Sequence, residues 1–134
     1  MQRREFLKLL GTSGACIAVV GCQTTTPNNN LIVPRKNNKL VISKHHFTDQ
    51  SGVTVVYKNS AIGVIKLDEQ RFSASLLICS HRGCTVALAG NKYVCPCHGA
   101  RFDESGRVLQ GPAEQNLTTF ITSSDTQAVY IHLP

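Results

Sequence analysis

An all-β fold is the class this sequence predicts, and three observations carry the prediction. From Lys39 onward the apolar runs are short and rich in Val, Ile, Thr, Tyr and Phe. Pairs of Gly, Asn, Ser and Asp punctuate them, and no stretch keeps a helical period. At 134 residues the chain has room for one ordinary core, with neither an internal repeat nor a second domain. A domain of that size buries only about two-thirds of its unfolded surface, so a disulfide or a metal would add useful stability. Six cysteines could supply such staples.

The chain opens with Arg3, Arg4 and Lys8, continues with an uncharged stretch from Leu9 to Gly21, and reaches a small residue before Cys22. That is a signal-peptide layout over residues 1–21. Thirteen uncharged residues fall short of the ~20 that span a bilayer as a helix. The string Arg3-Arg4-Glu5-Phe6-Leu7-Lys8 resembles a twin-arginine export signal, and Val19-Val20-Gly21-Cys22 resembles a bacterial lipobox. Cys22 would then be the first mature residue and carry lipid. Simple cleavage, retention as a short anchor, or burial of this run as a core element are the other uses of such a segment. Residues 22–38 are polar and rich in Pro and Asn, and read as a flexible tether. Residues 39–134 form the domain.

Within that domain the candidate strands are 40–43, 53–58, 62–67, 73–78, 86–88, 93–94, 117–122 and 128–133. Asn59-Ser60, the run from Ala89 to Lys92, and Ser124-Asp125 supply hairpin turns, and Asp68-Glu69 is another turn. The net charge is +6, two units of which belong to the segment before Cys22. The remaining basic residues are scattered and tryptophan is absent, so the sequence offers no nucleic-acid footprint. His45, His46 and His132 read as surface residues.

The chemistry sits in two strings. Cys79-Ser80-His81-Arg82-Gly83-Cys84 precedes a short hairpin, and Cys95-Pro96-Cys97-His98-Gly99 follows it. Four cysteines and two histidines therefore fall within twenty residues, in two loops that a hairpin would bring together. Mixed thiolate and imidazole donors suit a structural zinc ion as well as an iron-sulfur centre.

The strings C-x-H-x-G-C and C-P-C-H-G resemble the two boxes of Rieske iron-sulfur proteins. In that family two Cys hold one iron of a 2Fe-2S cluster and two His hold the other. By position, the resemblance implies Cys79 and Cys95 on one iron and His81 and His98 on the other. It also implies a disulfide between Cys84 and Cys97, which an oxidising compartment permits. Phe102-Asp103, Gly106-Arg107-Val108 and Gly111-Pro112-Ala113 extend the likeness, which runs from about Lys39 to Leu133. The implied fold is a stack of small antiparallel sheets, with the cluster held by two loops at one tip and covered by the loop at Gly111 and Pro112.

Two neutral imidazoles in place of two thiolates leave the oxidised cluster uncharged, which favours a potential within about −150 to +300 mV. Exposed outer nitrogens on His81 and His98, as in the family, would lower that potential at alkaline pH. Quinol-oxidising members carry a Ser and a Tyr after the second box, where this chain has Ala100 and Phe102. They tend to be apolar where Arg82 stands. These departures imply a middle or lower potential. Arg82 would raise the potential, draw an acidic partner, or stand solvated with Arg101.

The sequence thus leads to a one-electron carrier of the bacterial periplasm, tethered to the membrane as a lipoprotein. It would act alone or as the small subunit of an oxidoreductase, with a cytochrome or a larger subunit as redox partner. The alternative is the Rieske subunit of a cytochrome bc complex oxidising quinol. A dioxygenase ferredoxin would need only the four ligands, and export with the extra Cys pair speaks against it. No substrate pocket is evident, so catalysis by this chain alone is doubtful.

Overall fold

The computed structural model of the chain describes residues 30–80 and 82–134. The signal segment, Cys22, the start of the tether and His81 lie outside the described residues. Within them, β1 (Asn30–Leu31), β2 (Arg35–Lys36), β3 (Lys39–Ser43), β4 (Gly52–Tyr57), β5 (Ser60–Lys66), β6 (Phe72–Leu76), β11 (Thr119–Ser124) and β12 (Ala128–His132) form one sheet. Their order is β1-β4-β5-β6-β11-β12-β3-β2, antiparallel except for the β1–β4 pair. Its two outermost strands, β1 and β2, are joined by residues 32–34 alone. The sheet therefore curls until its edges meet, and closure of this kind removes the exposed edges that invite aggregation.

The alternation expected of a half-buried strand fills the interior. Leu40 and Ile42 of β3, Val53 and Val55 of β4, Ile62 and Val64 of β5, and Val129 and Ile131 of β12 pack into one core with Phe47 and Phe72. The rings of Phe47 and Phe72 meet edge-on, 5.0 Å apart.

Alternating strand directions sort the connections onto two ends. At the base, residues 44–51, 67–71 and 125–127 are tied together: Lys44 N donates to Gln127 O (2.9 Å), Lys66 N to Ser51 O (2.7 Å) and Ser124 Oγ to Gln70 O (2.7 Å). At the tip lie the turns at 37–38 and 58–59, Leu133, and both stems of the long excursion 77–118. There Leu133 N donates to Asn38 O (2.8 Å), Leu77 N to Ala61 O (2.9 Å) and Leu76 N to Thr118 O (2.7 Å).

The excursion builds a second sheet, β7 (Ala87–Ala89), β8 (Lys92–Val94), β9 (Arg101–Phe102) and β10 (Val108–Gln110), in the order β10-β9-β8-β7. It lies on the outer face of β4, β5 and β6. Ile65 packs under it with Leu77, Tyr93 and Phe102, while Ile62 and Val64 of the same strand face the inner core. The contact is close. A Cβ on Gly63 would meet Tyr93 Cε1 at 2.5 Å and Leu77 Cδ2 at 2.9 Å, and the Tyr93 hydroxyl donates to Gly63 O at 3.1 Å. The hairpin turns of this sheet point towards the base, where Ser73 Oγ donates to Glu104 O and Gly90 O lies against Gly52. Its loops 79–84, 95–100 and 111–116 therefore point towards the tip.

The all-β expectation holds, with shifted boundaries. The expected strand at 73–78 ends at Leu76, and Ile78 makes only an isolated bridge to Thr85. The turn expected at Asn59-Ser60 sits one residue earlier, at Lys58-Asn59. The tether reading of 22–38 requires correction. Its described part, from Asn30, is the seam of the sheet, with Leu31 and Val33 half buried against the core. A two-residue turn at Asn37 (φ 47°) and Asn38 (φ 58°) joins β2 to β3. β9 and β10 are not among the strands read from alternation, because strands of two and three residues show no period; only the resemblance around Phe102-Asp103 and Gly106-Arg107-Val108 points to a strand there. His45 and His46 lie in a single 3-10 turn, Lys44–Phe47.

Gly63→Ala should destabilise the protein by about 1–3 kcal/mol through forced overpacking, read by urea unfolding. Burial pushes the Tyr93 phenol up to about 12, although the Ser75 and Ser73 hydroxyls beside it pull the other way. The folded phenol thus keeps its proton where the unfolded one has lost it, so stability falls as pH rises from about 10 to about 12. Tyr93→Phe should remove about 1 kcal/mol at neutral pH and flatten that alkaline loss in a pH series of unfolding midpoints.

Candidate metal centre

The two cysteine loops are built alike. In the first, Cys79 N donates to Cys84 O (2.7 Å) and Gly83 N to Cys79 O (2.8 Å). In the second, Cys95 N donates to Ala100 O (2.8 Å) and Gly99 N to Cys95 O (2.9 Å). Each loop closes over the same span, and each places a glycine at positive φ, 69° for Gly83 and 77° for Gly99. A residue with a Cβ would be strained there, which explains the glycine in both strings. Cys79 and Cys95 occupy equivalent places and are buried, at 2% and 1% exposure.

Cys84 and Cys97 are joined in a disulfide that ties one loop to the other, with a Cα–Cα separation of 6.5 Å. Cys95 Sγ lies within 4.8 Å of both disulfide sulfurs. Two of those three sulfurs are bonded to each other, so the trio is no chelate; it places the Cys95 thiol beside the clamp. His98, next to Cys97, is exposed.

A third loop closes over the pair. Gly111-Pro112 is a cis peptide, and both residues are exposed at its turn. Ser80 Oγ of the first cysteine loop donates to Gln115 O at 2.6 Å, and Ala113 and Leu117 are buried in the cluster that holds Cys79 and Cys95. Ala100 and Phe102 are fully buried in that cluster, so the second loop and the strand after it present apolar groups to it. Arg82 is exposed. The tie between Ser80 and Gln115 has no signature in the sequence, because it joins a hydroxyl to a backbone carbonyl 35 residues away and leaves no motif.

Two matched cysteine loops in a small all-β domain, cross-linked and covered by a third, form a frame suited to holding a metal cluster. The family model of the Rieske [2Fe-2S] domain matches residues 37–121, and the chain belongs to that family. It is 30% identical to the cytochrome b6-f complex iron-sulfur subunit of Trichodesmium erythraeum, over 87% of this chain and 76% of that protein. It is 41% identical to the same subunit of Prochlorococcus marinus over 56 residues, 40% of this chain. That match spans 32% of the relative's length. Among solved structures, the cyanobacterial plasma membrane Rieske protein PetC3 from Synechocystis PCC 6803 superposes with a TM-score of 0.60 at 28% identity, covering 66% of this chain and 93% of that one.

The donor chemistry fits the Rieske-type 2Fe-2S cluster that the family implies. Two buried thiols stand at equivalent positions of matched loops, with an imidazole three residues after the second.

Because the disulfide closes a segment of 13 residues, the double variant Cys84→Ser with Cys97→Ser should lose about 3 kcal/mol of stability in urea unfolding.

Proposed function

We propose that this chain passes single electrons through a Rieske cluster held by Cys79, Cys95, His81 and His98. The observation that carries the reading is the equivalence of the two loops, which sets Cys79 and Cys95 as a buried thiol pair beneath a cross-linked rim. When bound, the cluster supplies a one-electron couple. The protein residues hold it, exclude water and set its surroundings. The buried thiols would ligate one iron, and His98, exposed at the rim, would ligate the other together with His81. Ser80, Ala113 and Leu117 fix the cover, which keeps the local dielectric low.

The chain acts in the bacterial periplasm, tethered through a lipidated Cys22, alone or as the small subunit of an oxidoreductase. The export-like and lipobox-like strings support that location, as do relatives described as a cytochrome complex subunit and a plasma membrane protein. Among the described residues no helix is long and apolar enough to cross a membrane. Its partner is a cytochrome or a larger oxidoreductase subunit. The relatives' description as cytochrome b6-f subunits favours a second reading, a subunit of a quinol-oxidising cytochrome complex. Ala100 and Phe102, with no hydroxyl to donate, and the charged Arg82 speak for the first.

Purified protein should contain iron and acid-labile sulfide in equal amounts and give a Rieske-type EPR signal when reduced; zinc in place of iron would refute the proposal. Cys79→Ser and Cys95→Ser should each abolish the signal. In redox titration the potential should lie in the middle or lower part of the range from about −150 to +300 mV, and Ala100→Ser and Phe102→Tyr should each raise it. An unmodified potential at the top of that range would favour the quinol-oxidising reading.

A further inference from the structure

The two ends of the molecule carry opposite electrostatic characters. Arg35 reaches the tip through its guanidinium, which donates to Asn38 Oδ1 at 2.9 Å. Lys36 and Lys39 flank the turn at 37–38, and Lys58 forms the turn at 58–59. Arg82 lies in the first cysteine loop, and Arg101 opens β9 directly after the second. Six cations thus gather at the tip, with Glu114 of the covering loop as the one carboxylate among them. Among the described residues none of the six is in an ion pair.

The base holds the other carboxylates. Asp49, Asp68, Glu69, Asp103, Glu104 and Asp125 all lie in its turns and connections. Here the charges are already engaged. Lys66 pairs with Glu69 and Arg71 with Asp68, both at 2.5 Å, and the contacts to Asp68 hold its carboxyl down at about 2. Asp125 accepts from the amides of Gln127 and Ala128 and from the Tyr130 hydroxyl. A net charge of +4 from Asn30 onward is therefore no average over the surface; the tip carries more than all of it.

We propose that the cluster-bearing tip is a cationic docking surface whose partner is an acidic face on a redox protein. The proposal rests on the electron-transfer reading given above. A fixed field of one sign at the end where electrons must leave steers a partner of opposite sign into register and repels a cationic one. The described chain enters at Asn30, paired with Thr54, and β1 runs from the base towards the tip.

The full chain is titrated calorimetrically with a lysine-rich cytochrome c and with the same cytochrome made acidic by succinylation. Salt is held at about 10 mM and then about 150 mM, where charges act over about 30 Å and about 8 Å. The acidic form should bind at low salt and be released at high salt, and the basic form should not bind. Arg82→Glu with Arg101→Glu should weaken binding about tenfold, as should Lys36→Glu with Lys39→Glu, which lie away from the cysteine loops. Lys92→Glu with Arg107→Glu makes the same charge change at the base and should shift affinity by less than about twofold. Equal weakening from both ends, or preference for the basic cytochrome, overturns the proposal. So does tip-dependent binding to vesicles of anionic phospholipid without binding to the acidic cytochrome. EPR on the same sample separates the two claims. Tip selectivity without a cluster keeps the docking surface and refutes the electron-transfer reading; a loaded cluster without selectivity does the reverse.

Discussion

A strand buried on both faces governs this structure. β5 gives Ile62 and Val64 to the interior of the curled sheet and lies against the second sheet through Gly63 and Ile65. Side chains alternate along a strand, so every second residue serves one core and the residues between serve the other. Gly63 is the tightest point, because Tyr93 occupies the space that its side chain would take and bonds to its carbonyl. The orientation of the small sheet follows from that docking, and with it the direction of every loop at the tip.

The loops are then fixed by two different kinds of tie. Their internal turns are backbone hydrogen bonds closed by glycines at positive φ, which set the shape of each loop separately. The disulfide and the Ser80 to Gln115 bond join separate loops, so they set the loops' relation to one another. Cross-linking acts mainly by restricting the unfolded chain, whether or not a cluster is present. Part of the cost of ordering the two loops relative to one another is therefore met by the cross-link itself. The Cys79 and Cys95 thiols lie buried beneath the cross-linked rim, where water and exposed side chains reach them poorly.

How far the sequence discloses this depends on the length scale of each feature. The two cysteine strings were legible because their spacing is local and chemically dense, and the long strands because period-two alternation survives over five or more residues. The seam at β1 and β2 was hidden within a stretch whose Pro and Asn content reads as linker. Leu31 and Val33 alternate correctly there, but two residues are too few to set a period, and only the pairing of Asn30 with Thr54 and of Arg35 with Leu40 makes them strand. β9 and β10 show no alternation for the same reason: β8 offers an edge to β9 and β9 offers one to β10, and edges are set by tertiary structure. The gathering of six cations at one end was hidden differently. Those residues are scattered along the sequence from Arg35 to Arg101, and only the alternation of strand direction brings them to one end.

That separation between inside and outside also divides the properties of the tip. Ala100 and Phe102 are fully buried beneath the cysteine loops and offer no hydroxyl hydrogen, so they bear on how strongly a reduced cluster would be stabilised. Arg82 and Arg101 are exposed on the same loops and bear on which surface can approach. A solvated charge acts weakly on a buried group through water of high dielectric, whereas a hydrogen-bond donor in a dry pocket acts strongly. The same exposed charge acts over a Debye length on an approaching protein. On the proposed electron-transfer reading, potential and partner choice would be set by residues one layer apart, so that a change at the rim would alter the partner while the lining beneath it is kept.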